Sequence, residues 1–154
     1  MASVTETVEV DVPVRTAYNQ WTQFEEFPKF MDGVEEVRQL DDTHLHWKAE
    51  VAGRTKEWEA EITEQHPDER VAWKSETGAK NAGVVTFHHL DEGRCGVTVQ
   101  MDAEPEGAVE TAGDVLGLLK GQVKGDLERF KSFIEDRDSE TGAWRGEVEQ
   151  DATS

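Results

Sequence analysis

Few residues in this chain are placed to do chemistry, and their spacing narrows what that chemistry could be. Five histidines occur: His44, His46, His66, His88 and His89. His44 and His46 stand two apart, so on a strand they share a face and form a possible metal pair. They fall on the parity opposite Leu45 and Trp47, which turns them to solvent, and no third ligand is evident of the three or four that zinc takes. The expectation is therefore no metal. His89 shares parity with Val85 and Phe87 and is the histidine expected inward. It reads as a core residue first, then as a hydrogen-bond partner for a ligand, and last as an acid or base, since no carboxylate accompanies it. Glu57, Glu59 and Glu61 alternate with Trp58, Ala60 and Ile62 and read as a solvated row. The chain carries no Ser-His-Asp arrangement, GxSxG, P-loop or GxGxxG pattern. No catalytic residue is assigned and no cofactor is expected.

What remains is aromatic. Trp21, Phe24, Phe27, Phe30 and Met31 crowd into eleven residues, with Pro28 among them. Rings at spacings of three want one buried helical face, and Pro28 suits the first turn of a helix. The segment predicts two short helices meeting at an elbow that closes a cavity. Trp47, Trp58, Trp73 and Phe87 fall on the inward parity of successive strands. They either fill a core or, with a few polar neighbours, line a pocket for a small molecule. The candidate ligand-binding residues are Trp21, Phe27, Phe30, Trp47, Trp58, Trp73, Ser75, Phe87, His89, Met101, Gly113, Leu116 and Gly117, with Tyr18 closing one end and Arg54 and Lys56 nearby.

The elements that must position these residues follow from the period of the apolar pattern. Residues 4–12 alternate, with Glu6 the one discordant member of the inward set Val4, Val8, Val10 and Val12. Val14 to Phe24 reads as a helix behind Pro13. Strands follow at Val34–Leu40, His44–Val51 and Lys56–Glu64, then around Trp73, Val85–His89 and Cys95–Met101, separated by Asp-Gly, Gly and Pro-Asp turns. From Gly107 to Arg137 the period becomes helical: Val109, Ala112, Leu116, Leu119, Val123, Leu127, Phe130 and Ile134 form one stripe. Gly113, Gly117, Gly121 and Gly125 recur every fourth residue of that helix. Gly113 and Gly117 lie where they would leave space open, while Gly125 is expected to face water. Residues 138–154 lack a periodic face and read as a disordered acidic tail, leaving 1–137 as one domain.

The order strand, two short helices, six antiparallel strands and a long last helix is that of the helix-grip architecture. This is an α+β fold in which a curved antiparallel sheet of about seven strands wraps the C-terminal helix. The residues also resemble a particular family. Trp21-x-x-Phe24-x-x-Phe27-Pro28-x-Phe30-Met31 followed by Val34 and Val37, Gly83-x-Val85-x-Phe87, and Asp126-Leu127-x-x-Phe130-Lys131 look like the polyketide cyclase/dehydrase and coenzyme-Q-binding group of the START-related superfamily. The resemblance covers residues 3–136. It implies a hydrophobic small molecule, such as a lipid, quinone or polyketide-like chain, held in an internal cavity. A cyclase or dehydratase acting on a polyketide-like chain is the alternative, and a protein-interaction module a further one.

Composition removes other classes. The chain has 154 residues and a net charge of −18, from 34 acidic against 16 basic side chains. Such a surface repels nucleic acid and anionic membranes. Cys95 is the single cysteine, so no disulfide framework exists. The first twenty residues hold Glu6, Glu9 and Asp11 without an apolar run, and no stretch reaches eighteen apolar residues. A cytoplasmic protein without membrane insertion is expected, and monomer and dimer both remain open.

Overall fold

The computed structural model describes residues 2–31, 34–51, 54–78, 81–103 and 112–137, with the side chains of α2 from Lys120 to Asp136. Its elements are β1 (Ala2–Val10), α1 (Val14–Trp21), a 3₁₀ elbow (Phe24–Lys29), β2 (Val34–Gln39), β3 (His44–Val51), β4 (Arg54–His66), β5 (Arg70–Gly78), β6 (Asn81–Asp91), β7 (Arg94–Ala103) and α2 (Ala112–Arg137). The strands form one sheet in the order β1-β7-β6-β5-β4-β3-β2, and every pairing is antiparallel. After β1 the chain crosses through α1 and the elbow to the far edge, then meanders back until β7 lies beside β1. Alternation with period two sets the faces, since a slip of one residue would turn every apolar side chain to water.

The inner rows follow the pairing: Val8 opposite Val97, Val97 opposite Phe87, Val85 opposite Val71, Ile62 opposite Trp73, and Trp47 opposite Trp58. α2 lies along β1 and seats Val123, Leu127, Phe130 and Ile134, all buried, against this face. The backbone N–H of Asp11 donates to Glu135 Oε2 at 2.8 Å, and Lys131 Nζ donates to the same oxygen at 2.6 Å. These contacts place the end of α2 beside the end of β1, so its first turns run toward Val4 and Met101.

The elbow differs from expectation in one detail. The break falls at Thr22–Gln23, three residues after Asn19, and not at Pro28. Thr22 Oγ1 donates to the carbonyl of Asn19 at 2.6 Å, which satisfies a carbonyl freed at the end of α1. Pro28 is the fifth residue of the 3₁₀ turn, where its missing N–H costs one bond. The turn then closes through the N–H groups of Phe30 and Met31 on the carbonyl of Phe27. The start of the terminal helix between 107 and 111, and the tail 138–154, lie outside the described residues.

Candidate functional site

The concave face divides into two ends of different character. At one end the rings close on one another. Trp21 stands 5.3 Å from Phe27, 6.4 Å from Phe87 and 5.1 Å from Phe130, centroid to centroid. Phe30 meets Phe130 at 5.2 Å and Phe133 at 5.3 Å, and Tyr18 meets Phe87 edge-on at 5.3 Å. These tilted and edge-to-face contacts are favourable ring geometries. Trp21, Phe24, Phe27, Phe30 and Phe87 are all buried. The elbow is thus packed core against the second half of α2, where an elbow closing a cavity was expected. Arg129 fastens it, donating from Nε to the carbonyl of Phe30 at 2.9 Å while its guanidinium also pairs with Asp126.

The other end is more open. Trp47, Trp58, Trp73, Ser75 and Met101 are half-buried. Trp47 and Trp58 are direct cross-strand partners and stack with centroids 5.7 Å apart and planes 6° apart. Phe27 joins the two ends, 5.5 Å from Trp47. Trp73 lies across Gly83: a Cβ at that glycine would come within 2.6 Å of the indole and 2.8 Å of the Gln100 carbonyl oxygen. Ser75 Oγ accepts the backbone N–H of Asn81 at 3.0 Å, so its oxygen is partly engaged. The indole N–H groups of Trp47 and Trp58 are buried, with no hydrogen-bond partner among the described residues. Gln65 is only 1% exposed, and both polar atoms of its amide likewise lack a partner among the described residues.

One site expectation is corrected. His89 is exposed. β5 begins at Arg70, opposite Thr86, so beyond Phe87 strand β6 keeps a neighbour only on its β7 side and His89 stands at a corner of the sheet. Gly125 lies at the surface of α2, half-covered by the exposed side chain of Arg129, whose Nη1 is 3.1 Å from where its Cβ would be. Gly121 does face open space. The side chains at positions 113, 116 and 117 lie outside the described residues. The alternation missed Gln65 because a register shift between Ile62 and Glu64 changes the parity of β4. Sequence gives no local signal for such a bulge. A shallow groove of about 380 Å³ opens beside it, lined by His66, Glu69, Arg70, Thr86 and Phe87.

Titratable groups on the inner face are few among the described residues. Glu6 and Lys56 are half-buried there. Cys95 is buried, and that burial pushes its thiol up to about 11, so it stays protonated and unreactive at neutral pH. No described helix is long and apolar enough to cross a membrane.

A seven-stranded antiparallel sheet gripping a C-terminal helix, with the elbow after the first strand, is the START-type helix-grip fold. The chain belongs to the family described as "Polyketide cyclase / dehydrase and lipid transport", whose profile matches residues 10–132. It is 60% identical over 149 residues to an uncharacterized 17.2 kDa protein from the melC2-rnhH intergenic region of Streptomyces lincolnensis, covering 96% of this chain and 99% of that one. In structure it is similar to a START superfamily protein from Mycobacterium smegmatis, with a TM-score of 0.81 at 16% identity over 89% of this chain and 99% of the other. It is also similar to the Zhui aromatase/cyclase from Streptomyces sp. R1128, with a TM-score of 0.72 at 18% identity over 92% and 98% of the two chains. At such identities the likeness speaks for the fold alone.

Proposed function

We propose that the protein binds a flat or chain-like hydrophobic molecule bearing carbonyl or hydroxyl oxygens, of the quinone, lipid or polyketide kind. The ligand lies between the Trp47, Trp58, Trp73 and Met101 side chains and the first half of α2, where Gly113, Leu116 and Gly117 stand. The observation that carries this reading is the stacked Trp47–Trp58 pair, with both indole N–H groups buried and unpaired among the described residues. A buried donor left without an acceptor costs roughly 1–3 kcal/mol. A ligand oxygen recovers that cost while its apolar body covers the half-exposed rings. The Gln65 amide supplies a second polar point on the same strand, roughly 23 Å from Trp58 at about 3.3 Å per residue, which favours a long ligand over a compact one. The buried Trp21, Phe27, Phe30 and Phe87 support the site from behind as its wall. A cytoplasmic setting belongs to this proposal, and is supported by a sequence whose single cysteine allows no disulfide within the chain.

The test is titration of the tryptophan emission with menadione, a long-chain fatty acid and an aromatic polyketide-like phenol, alongside native mass spectrometry of protein purified from its own host. Saturable quenching by at least one class is expected. Trp58→Phe keeps a ring and removes the donor, and should weaken that binding by about tenfold, the worth of one hydrogen bond. No response from the whole panel, with no co-purified ligand, would remove the carrier reading. The enzyme reading, a cyclase or dehydratase, draws on the half-buried inward Lys56, two residues from Trp58, as a proton donor. Conversion of the bound compound, sensitive to Lys56→Met, would favour it.

A further inference from the structure

The outer face of the sheet holds a second constellation, independent of the concave side. His44 and Glu61 are cross-strand partners on β3 and β4. On β5, Thr77 stands opposite Glu59 and Ser75 opposite Ala60, so Glu76 is the extra residue of a bulge. Bulges re-aim side chains, and this one brings the Glu76 carboxylate to the same spot. His44 Nε2 stands 3.4 Å from Glu76 Oε1 and 3.9 Å from Glu61 Oε2. The three ligand atoms all lie within 4.8 Å of one another. The other imidazole nitrogen is held from behind: Nδ1 is 2.9 Å and 3.0 Å from the two Asp41 oxygens, with Thr43 Oγ1 at 3.0 Å.

We propose that His44, Glu61 and Glu76 form a surface site for a borderline divalent cation of the zinc type, with Asp41 orienting the imidazole. Three geometric features converge on it. Carboxylate-to-imidazole support on the far nitrogen is how metal-binding histidines are oriented, and it leaves Nε2 as the ligand atom. In tetrahedral coordination, ligands at about 2.0–2.2 Å from zinc stand roughly 3.3–3.5 Å apart; His44 and Glu76 at 3.4 Å already match this, and Glu61 at 3.9 Å from His44 must close in by about half an ångström. The bulge sets two carboxylates side by side, and a divalent ion relieves their repulsion. One imidazole among the three ligands favours a zinc-like ion over calcium or magnesium, which take all-oxygen sets. The sequence pairing of His44 with His46 is not the one realised, since His46 Nε2 turns to Glu57 at 3.2 Å. The bound ion ties β3, β4 and β5 together from outside.

The experiment uses chelator-treated full-length protein and zinc chloride alone, followed by calorimetry and thermal melting. One saturable zinc per chain and a rise in Tm are expected. His44→Gln and Glu76→Gln should each abolish both effects, Asp41→Asn should weaken binding by about 10–100-fold, and His46→Gln should leave it unchanged. No saturable uptake overturns the proposal. So does equal uptake by His44→Gln and the unaltered protein, which would be adsorption on a chain with 34 acidic residues.

Discussion

Trp73 and Gly83 are legible only as a pair. On β5 the indole needs a flat neighbour, and on β6 the absent side chain supplies it. An added methyl meets both the ring and a backbone oxygen, and the backbone cannot yield. Gly83→Ala should therefore destabilise the protein by about 1–3 kcal/mol, the usual cost of overpacking, read as a lower urea midpoint at unchanged slope. Trp73→Leu should recover part of that loss in the double mutant, because the two positions are coupled. An unaltered midpoint for Gly83→Ala would mean that the ring does not lie across the glycine. The glycine itself stood out in the sequence as the first letter of Gly83-x-Val85-x-Phe87. Its reason did not, since nothing local says which aromatic residue will sit opposite.

At the scale of elements, most of the fold was legible because period two and period 3.6 are physical consequences of strand and helix geometry. Val4, Val10, Leu45, Ile62, Val71, Val85 and Val97 are all buried as their alternation requires. The failures sit where periodicity is interrupted. One bulge on β4 turned Gln65 inward, and the short end of β5 exposed His89. Each depends on partner strands far away in sequence. The elbow was legible as a buried aromatic face but not as packed core, because its partners Phe130 and Phe133 lie a hundred residues later. One bond secures that long-range contact. Arg129→Met keeps the apolar stem and removes the donor to the Phe30 carbonyl. It should cost about 1–2 kcal/mol, since a charged donor to a partly buried carbonyl is lost, and the same denaturation measurement reads it. A stability equal to the unaltered protein would show that the aromatic contacts alone hold the elbow.

For the molecule as a whole, the concave face has a closed end of packed rings and an open end of half-buried ones, where the proposed ligand would lie. The closed end joins α1, the elbow and the second half of α2 in one ring cluster, so removing a ring there leaves a cavity with nothing to fill it. Phe130→Ala, at a position with no exposed surface, should cost about 3–5 kcal/mol. At the open end the indole of Trp58 is half-exposed and has Trp47 as its one ring contact among the described residues. Trp58→Ala should cost clearly less than the Phe130 substitution while abolishing the fluorescence response to whichever compound of the panel quenches the unaltered protein. Phe130→Ala, kept at a temperature where it is folded, should retain that response. The contrast follows from what each ring touches: at the closed end its partners are other core rings, and at the open end part of its surface is left for a ligand. Equal destabilisation by both substitutions would make Trp58 ordinary core. The concave face would then be packed throughout, leaving no site for the ligand proposed above.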